Sequence, residues 1–129
     1  MLHYLRMPAD AQPIGLPSAT ARAAVGALAL LADDTRLKIL WTLMQGEQHV
    51  NALSDLVGAK APAVSQHLGK LRLAGMVSVR RDGTYAYYSA SDDHISRIVS
   101  LLVDHASDEL AAQHQISELR RRRRRHTAT

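Results

Sequence analysis

The chain has 129 residues, 47% of them apolar, with one tryptophan and no cysteine, which fits one domain with a modest core and excludes disulfides, thiolate metal sites and cysteine nucleophiles. No apolar run approaches the ~18 residues that cross a bilayer, and the N-terminus lacks a secretory pattern, so a cytoplasmic protein without a membrane partner is expected. The net charge of +4 is uneven: Arg120 to Arg125 contribute six positive charges, and the rest of the chain carries a net −2.

Residues 1–17 hold three of the four prolines and little periodicity, and read as a flexible N-terminal arm. Residues 18–115 read as the folded domain and 116–129 as a basic C-terminal tail. With no phenylalanine, Leu, Val, Ile and Ala fill the core, a composition that leans helical. Ser18 is placed to cap a helix running to about residue 32, with Val25, Leu28 and Leu31 on one stripe. Asp34 is placed to cap a second, which buries Leu37, Ile39, Leu40, Leu43 and Met44 and ends at Gly46. Asn51 is placed to cap a short third helix carrying Leu53, Leu56 and Val57, closed by Gly58. Pro62 suits the first turn of a fourth, which has Val64, Leu68 and Leu71 at helical spacing and ends at Gly75.

The period then changes. Residues 76–80 alternate as a strand. Asp82-Gly83 signals a tight turn with both central residues at positive φ, and residues 84–89 form the return strand. Ser91 or Asp92 caps a last helix, whose positive N-terminal end suits Asp92 and Asp93. Its apolar surface (Ile95, Ile98, Val99, Leu101, Leu102, Val103) is broader than one small core needs.

Two short helices around a tight turn, followed by a basic hairpin, describe a mainly α fold with a β-hairpin wing: a winged helix-turn-helix. A helix fits the major groove of B-DNA with its N-terminal side chains at base edges. Ser65, Gln66 and His67 occupy that position, Lys60, Lys70 and Arg72 flank it to meet phosphates, and Arg80 and Arg81 stand near the hairpin tip. The stretch 60–85 carries a net +4 and the stretch 92–118 a net −5. The first suits phosphate; the second suits a cation, or is a solvated helix face.

Residues 31–40 (LADDTRLKIL) and 63–77 (AVSQHLGKLRLAGMV) closely resemble the ArsR/SmtB family of metalloregulatory repressors, and the resemblance covers roughly residues 20–110. It implies a homodimer, joined through its N- and C-terminal helices, that binds double-stranded operator DNA and releases it when metal binds. Some members of that family sense no metal, so the metal reading rests on its own residues.

Those residues are Asp92-x-His94 and His105-x-x-Asp108. His105 and Asp108 share a helix face. His94 lies eleven residues before His105, or about 16 Å along the axis, whereas metal–nitrogen bonds are only ~2.0–2.1 Å. One straight helix therefore cannot bring all four to a single ion, but two antiparallel copies can, which makes two equivalent sites. The other reading of the same spacing is a capping-turn His94 and an interface His105. The pattern resembles the family's C-terminal-helix metal site residue by residue, with Asp where some members place Glu or His at 108. The family's other site needs cysteine near the third helix, where this chain has only His49. Two histidines and two carboxylates suit zinc, the cofactor expected, with cobalt or nickel as alternatives. Nickel favours more nitrogen ligands, which His3 and His114 offer, as in nickel/cobalt sensors of this family; Glu109 is a substitute for Asp108.

Arg120 to Arg125 read as a disordered basic tail continuing the last helix, either adding non-specific DNA affinity or merely solvated. No Gly-rich phosphate loop and no Ser–His–Asp set is evident, and a site between packed helices leaves little room for a small-molecule substrate. An enzyme is therefore not expected. A family repressor responding to a signal other than metal is the main alternative.

Overall fold

The computed structural model describes residues 14–128. Most of the proposed arm, with His3, lies outside the described residues. In chain order the elements are α1 (Ser18–Leu31), α2 (Asp34–Gln45), β1 (Gln48–His49), α3 (Val50–Val57), α4 (Ala61–Leu73), β2 (Val77–Asp82), β3 (Tyr85–Ala90) and α5 (Asp93–Thr127).

Side-chain caps set several helix starts. Asp33, not Asp34, caps α2: it has extended backbone angles and its carboxylate accepts the Arg36 N–H at 2.9 Å. Two adjacent aspartates give the sequence no means of choosing between them. His49, not Asn51, caps α3, its Nδ1 accepting the Ala52 N–H at 3.3 Å. Ser18 is the first helical residue of α1, behind Pro17, and makes no cap bond. Asp92 caps α5, its Oδ1 accepting N–H groups of His94 at 2.9 Å and Ile95 at 3.1 Å. Gly58 and Gly75, at φ 71° and 74°, follow α3 and α4 in the left-handed region that terminates helices.

The wing is an antiparallel ladder running from Val77↔Ala90 to Asp82↔Tyr85. Asp82 therefore belongs to the strand, and the two loop residues are Gly83 and Thr84. Gly83 has φ 63°, and no non-glycine among the described residues has positive φ. That is the II′ pattern, with glycine first, and it moves the expected Asp82-Gly83 turn by one residue. The two-residue β1 pairs with β3 to give a three-stranded sheet in the order β1-β3-β2.

The core joins Ile39, Leu40 and Leu43 of α2, Leu53 and Val57 of α3, and Val64, Leu68 and Leu71 of α4. Leu31, Met76, Val77, Ile95 and Val99 complete it. Full burial of one such side chain contributes roughly 1.5–3 kcal/mol, so this cluster fixes how α4 sits on α2 and α3. The result is a winged helix-turn-helix, with α3 and α4 as the paired helices.

Only Ile95 and Val99 of α5 are buried. From Asp104 onward the helix is exposed at every described residue, yet it continues to Thr127 without a break. The arginine run expected to be disordered is thus helical. Val25 and Leu28 of α1, with Ile98, Leu101 and Leu102 of α5, form exposed apolar faces. No helix among the described residues is long and apolar enough to cross a membrane.

Candidate DNA-reading surface and metal-binding helix

Burial of Val64, Leu68 and Leu71 orients α4. The residues between them then face outward by the 3.6-residue period. Ser65, Gln66, Lys70 and Arg72 are exposed, as is Lys60 just before the helix. Pro62 lies in the first turn, where its missing N–H breaks no helical bond. These side chains are free to meet a duplex.

His67 departs from that expectation. It turns toward α2, its side chain only 22% exposed, with Nε2 3.9 Å from Asp33 Oδ2 and Nδ1 3.3 Å from Arg36 Nη1. A guanidinium can only donate, so Nδ1 accepts and Nε2 carries the proton facing Asp33. Arg36 also donates through Nε to Leu30 O at 2.6 Å and through Nη2 to Ala29 O at 3.3 Å. The backbone N–H of Arg36 holds the Asp33 carboxyl below its ordinary range; partial desolvation opposes this, and the charge of Arg36 assists it. His67, expected among the base-facing residues, is thus held against α2 in this structure, unlike the exposed Ser65 and Gln66.

Arg80 is likewise committed within the fold. Its Nη2 donates to Glu47 Oε1 at 2.5 Å, and its guanidinium carbon lies 4.8 Å from the centre of the Tyr87 ring. That hydrogen bond lowers the Glu47 carboxyl and raises Arg80. Arg81, the next residue, is exposed beside the turn. The period-2 alternation of β2 was the signal that the two arginines face opposite ways; nothing in the sequence pointed to Glu47 as a partner.

On α5, residues eleven apart differ by about 20° around the axis, so His94 and His105 share one face, with Ile98 and Leu101 between them. His94, Arg97, Ile98 and Leu101 line an open groove of 440 Å³. The face is palindromic: reversing the helix about a point between Val99 and Ser100 exchanges His94 with His105 and Ile98 with Leu101. It carries Asp92 to position 107, one residue short of Asp108.

Within each half the carboxylates lie near the imidazoles. His94 Nδ1 is 3.7 Å from Asp92 Oδ1. His105 Nε2 is 3.8 Å from Glu109 Oε2, so the acid beside His105 is Glu109 and not Asp108. His114 pairs with Glu118 at 3.9 Å, a turn and more away from that set. Both His94 and His105 are mostly exposed, at 69% and 75%. Among the described residues, no three His, Asp or Glu side chains of one chain converge on a single point.

Residues 33–79 match the family model described as bacterial regulatory protein, arsR family. The chain is 40% identical over 112 residues to the HTH-type transcriptional regulator KmtR of Mycobacterium tuberculosis, covering 84% of this chain and 86% of that one. It is 40% identical over 82 residues to a probable mercury resistance operon repressor of Streptomyces lividans, covering 64% and 66%. Among solved structures it is similar to a homodimeric winged helix-turn-helix DNA-binding domain from Mycobacterium bovis. There the TM-score is 0.65 and the identity 30%, with 76% of this chain and 94% of that one covered.

Proposed function

This chain belongs to the ArsR family of bacterial regulatory proteins, and from that premise we propose that it is a homodimeric operator-binding repressor released by a divalent transition metal. It is a transcriptional regulator and not an enzyme. Ser65 and Gln66 of α4 read base edges, Lys60, Lys70, Arg72 and Arg81 hold phosphates, and the protein works in the cytoplasm.

The palindromic face of α5 carries the metal reading. It holds two half-sites about 16 Å apart, neither of which supplies enough donors alone. A second copy laid antiparallel brings Asp92 and His94 against His105 and Asp108 of its partner, and buries Ile98 against Leu101 between the two sites. The donors fit such an ion: imidazole nitrogens and carboxylate oxygens, mostly exposed. The cap bonds of Asp92 use Oδ1 alone, which leaves Oδ2 to a ligand. The contact of His105 with Glu109 supports Glu109 as an alternative to Asp108. A set of two nitrogens and two oxygens favours zinc over cobalt and nickel. When bound, the metal supplies a cross-link between the two α5 helices.

The rest of the mechanism belongs to the protein. Ile95 and Val99 seat α5 in the core, where it packs on α2, and α2 packs on α4. A change in α5 spacing therefore changes the spacing of the two reading helices. Coupling of this kind is typically ~1–3 kcal/mol, or roughly 5- to 150-fold in affinity. Ligating histidines are neutral, so release weakens in acid.

The test is titration of zinc, cobalt and nickel into the protein–operator complex, read by anisotropy. Zinc is expected to weaken binding about tenfold or more. The His94→Ala, His105→Ala double variant is expected to bind DNA and ignore zinc. Zinc-driven release in that variant rejects the site.

A further inference from the structure

We propose that Arg120 to Arg125, at the end of α5, form a second DNA-binding element: a helical arm that grips backbone phosphates beyond the reach of α4. The proposal rests on the DNA-binding reading above and adds to it a surface that makes no base contacts.

Four observations carry it. The helix leaves the core after Val103 and stays exposed to its end, projecting about 36 Å over its last 24 residues. The six arginines each advance about 100°, so their charge surrounds the helix. None of the six guanidiniums has a carboxylate partner among the described residues; the nearest acid in the chain, Glu118, is taken by His114. Finally, the rest of the chain carries a net −2, so these arginines supply its excess positive charge.

Like charges three and four residues apart destabilise a helix. The negative C-terminal end of the dipole offsets only part of that repulsion. A polyanion laid against the arm removes the repulsion and gains a pairing at each guanidinium. The arrangement favours duplex phosphate over a lipid surface. A helix lying in a bilayer interface keeps one apolar face and one charged face; here arginines occupy every side, and no large apolar residue follows Leu119.

The experiment uses the full chain and a variant with Arg120→Gln through Arg125→Gln, its fold checked by circular dichroism. Affinity for the operator and for an unrelated duplex is measured across a salt series. The glutamine variant is expected to lose affinity for both duplexes alike. Its salt slope should be shallower by ~0.9 for each phosphate no longer neutralised, or about 2 to 5 per protomer. A six-lysine variant is expected to keep the slope. A wild-type slope in the glutamine variant overturns the proposal. So does arginine-dependent binding to phosphatidylserine vesicles with DNA slopes unchanged, which assigns the arm to lipid. A parallel Ser65→Ala, Gln66→Ala variant is expected to lose operator preference and keep the slope. Should the wild-type protein show no operator preference at all, the base-reading role fails, while the slope on the unrelated duplex still decides the role of the arm.

Discussion

Arg36 Nη1 lies 3.3 Å from His67 Nδ1, and this contact ties α2 to α4. The same guanidinium is bonded to the carbonyls of Ala29 and Leu30, which would otherwise lack helical partners. The guanidinium serves three separated acceptors from three different nitrogens, Nε, Nη1 and Nη2, whereas the three donors of lysine all sit on one nitrogen.

Replacing Arg36 with alanine is therefore expected to lower stability by about 1–3 kcal/mol, measured by urea unfolding. Arg36→Lys should recover little of that loss. A variant as stable as wild type would reduce the cluster to an incidental contact.

The acid limb of stability follows from the carboxylates. Asp33 is depressed, chiefly by the Arg36 N–H, and Glu47 by its hydrogen bond from Arg80. A depressed carboxylate stabilises the fold above its unfolded value, roughly 3.9 for Asp and 4.3 for Glu. That contribution disappears as pH falls through the lower folded value. Stability should thus be insensitive to these groups near neutrality and decline below about pH 4. Asp33→Asn keeps a capping side chain but removes one titrating group, and should flatten the decline in acid unfolding curves.

How much of this was legible in the sequence depends on the range of the interaction. The α4 stripe of Val64, Leu68 and Leu71 is a local periodicity, and the structure buries all three. The Gly58 and Gly75 stops are likewise local. By contrast, His67 read as a base contact because its position in α4 is right; only Arg36, thirty-one residues away, turns it inward. The same holds for Arg80, whose partner Glu47 is thirty-three residues distant. The last helix ran further than expected because consecutive arginines are good helix formers even though they repel one another. The His94–His105 spacing was legible, but Glu109 as the nearer acid depends on side-chain direction along the helix.

At the wing, Arg80 and Arg81 should behave differently despite adjacency. Arg81→Ala is expected to leave unfolding unchanged and to reduce the salt slope of DNA binding by ~0.9 per protomer. Arg80→Ala should leave the slope unchanged and raise the Glu47 carboxyl toward its ordinary range, visible by NMR titration. Equal slope changes in the two variants would show that Arg80 leaves Glu47 for phosphate.

The palindrome on α5 makes a prediction that distinguishes a shared site from one held within a single chain. In a homodimer of the His94→Ala variant, each site lacks one imidazole, and the same is true of His105→Ala. In a mixed dimer of the two, one site combines both substitutions and loses both imidazoles. The other combines an intact Asp92–His94 pair with an intact His105–Asp108 pair. Refolding the two variants together should therefore restore one full-affinity zinc site per mixed dimer, with about half of all dimers mixed if pairing is random. Each variant alone should show none. A site closed within one chain carries a substitution in every copy, so mixing would restore nothing. Calorimetric titration of the mixture against the separate variants reads the difference directly.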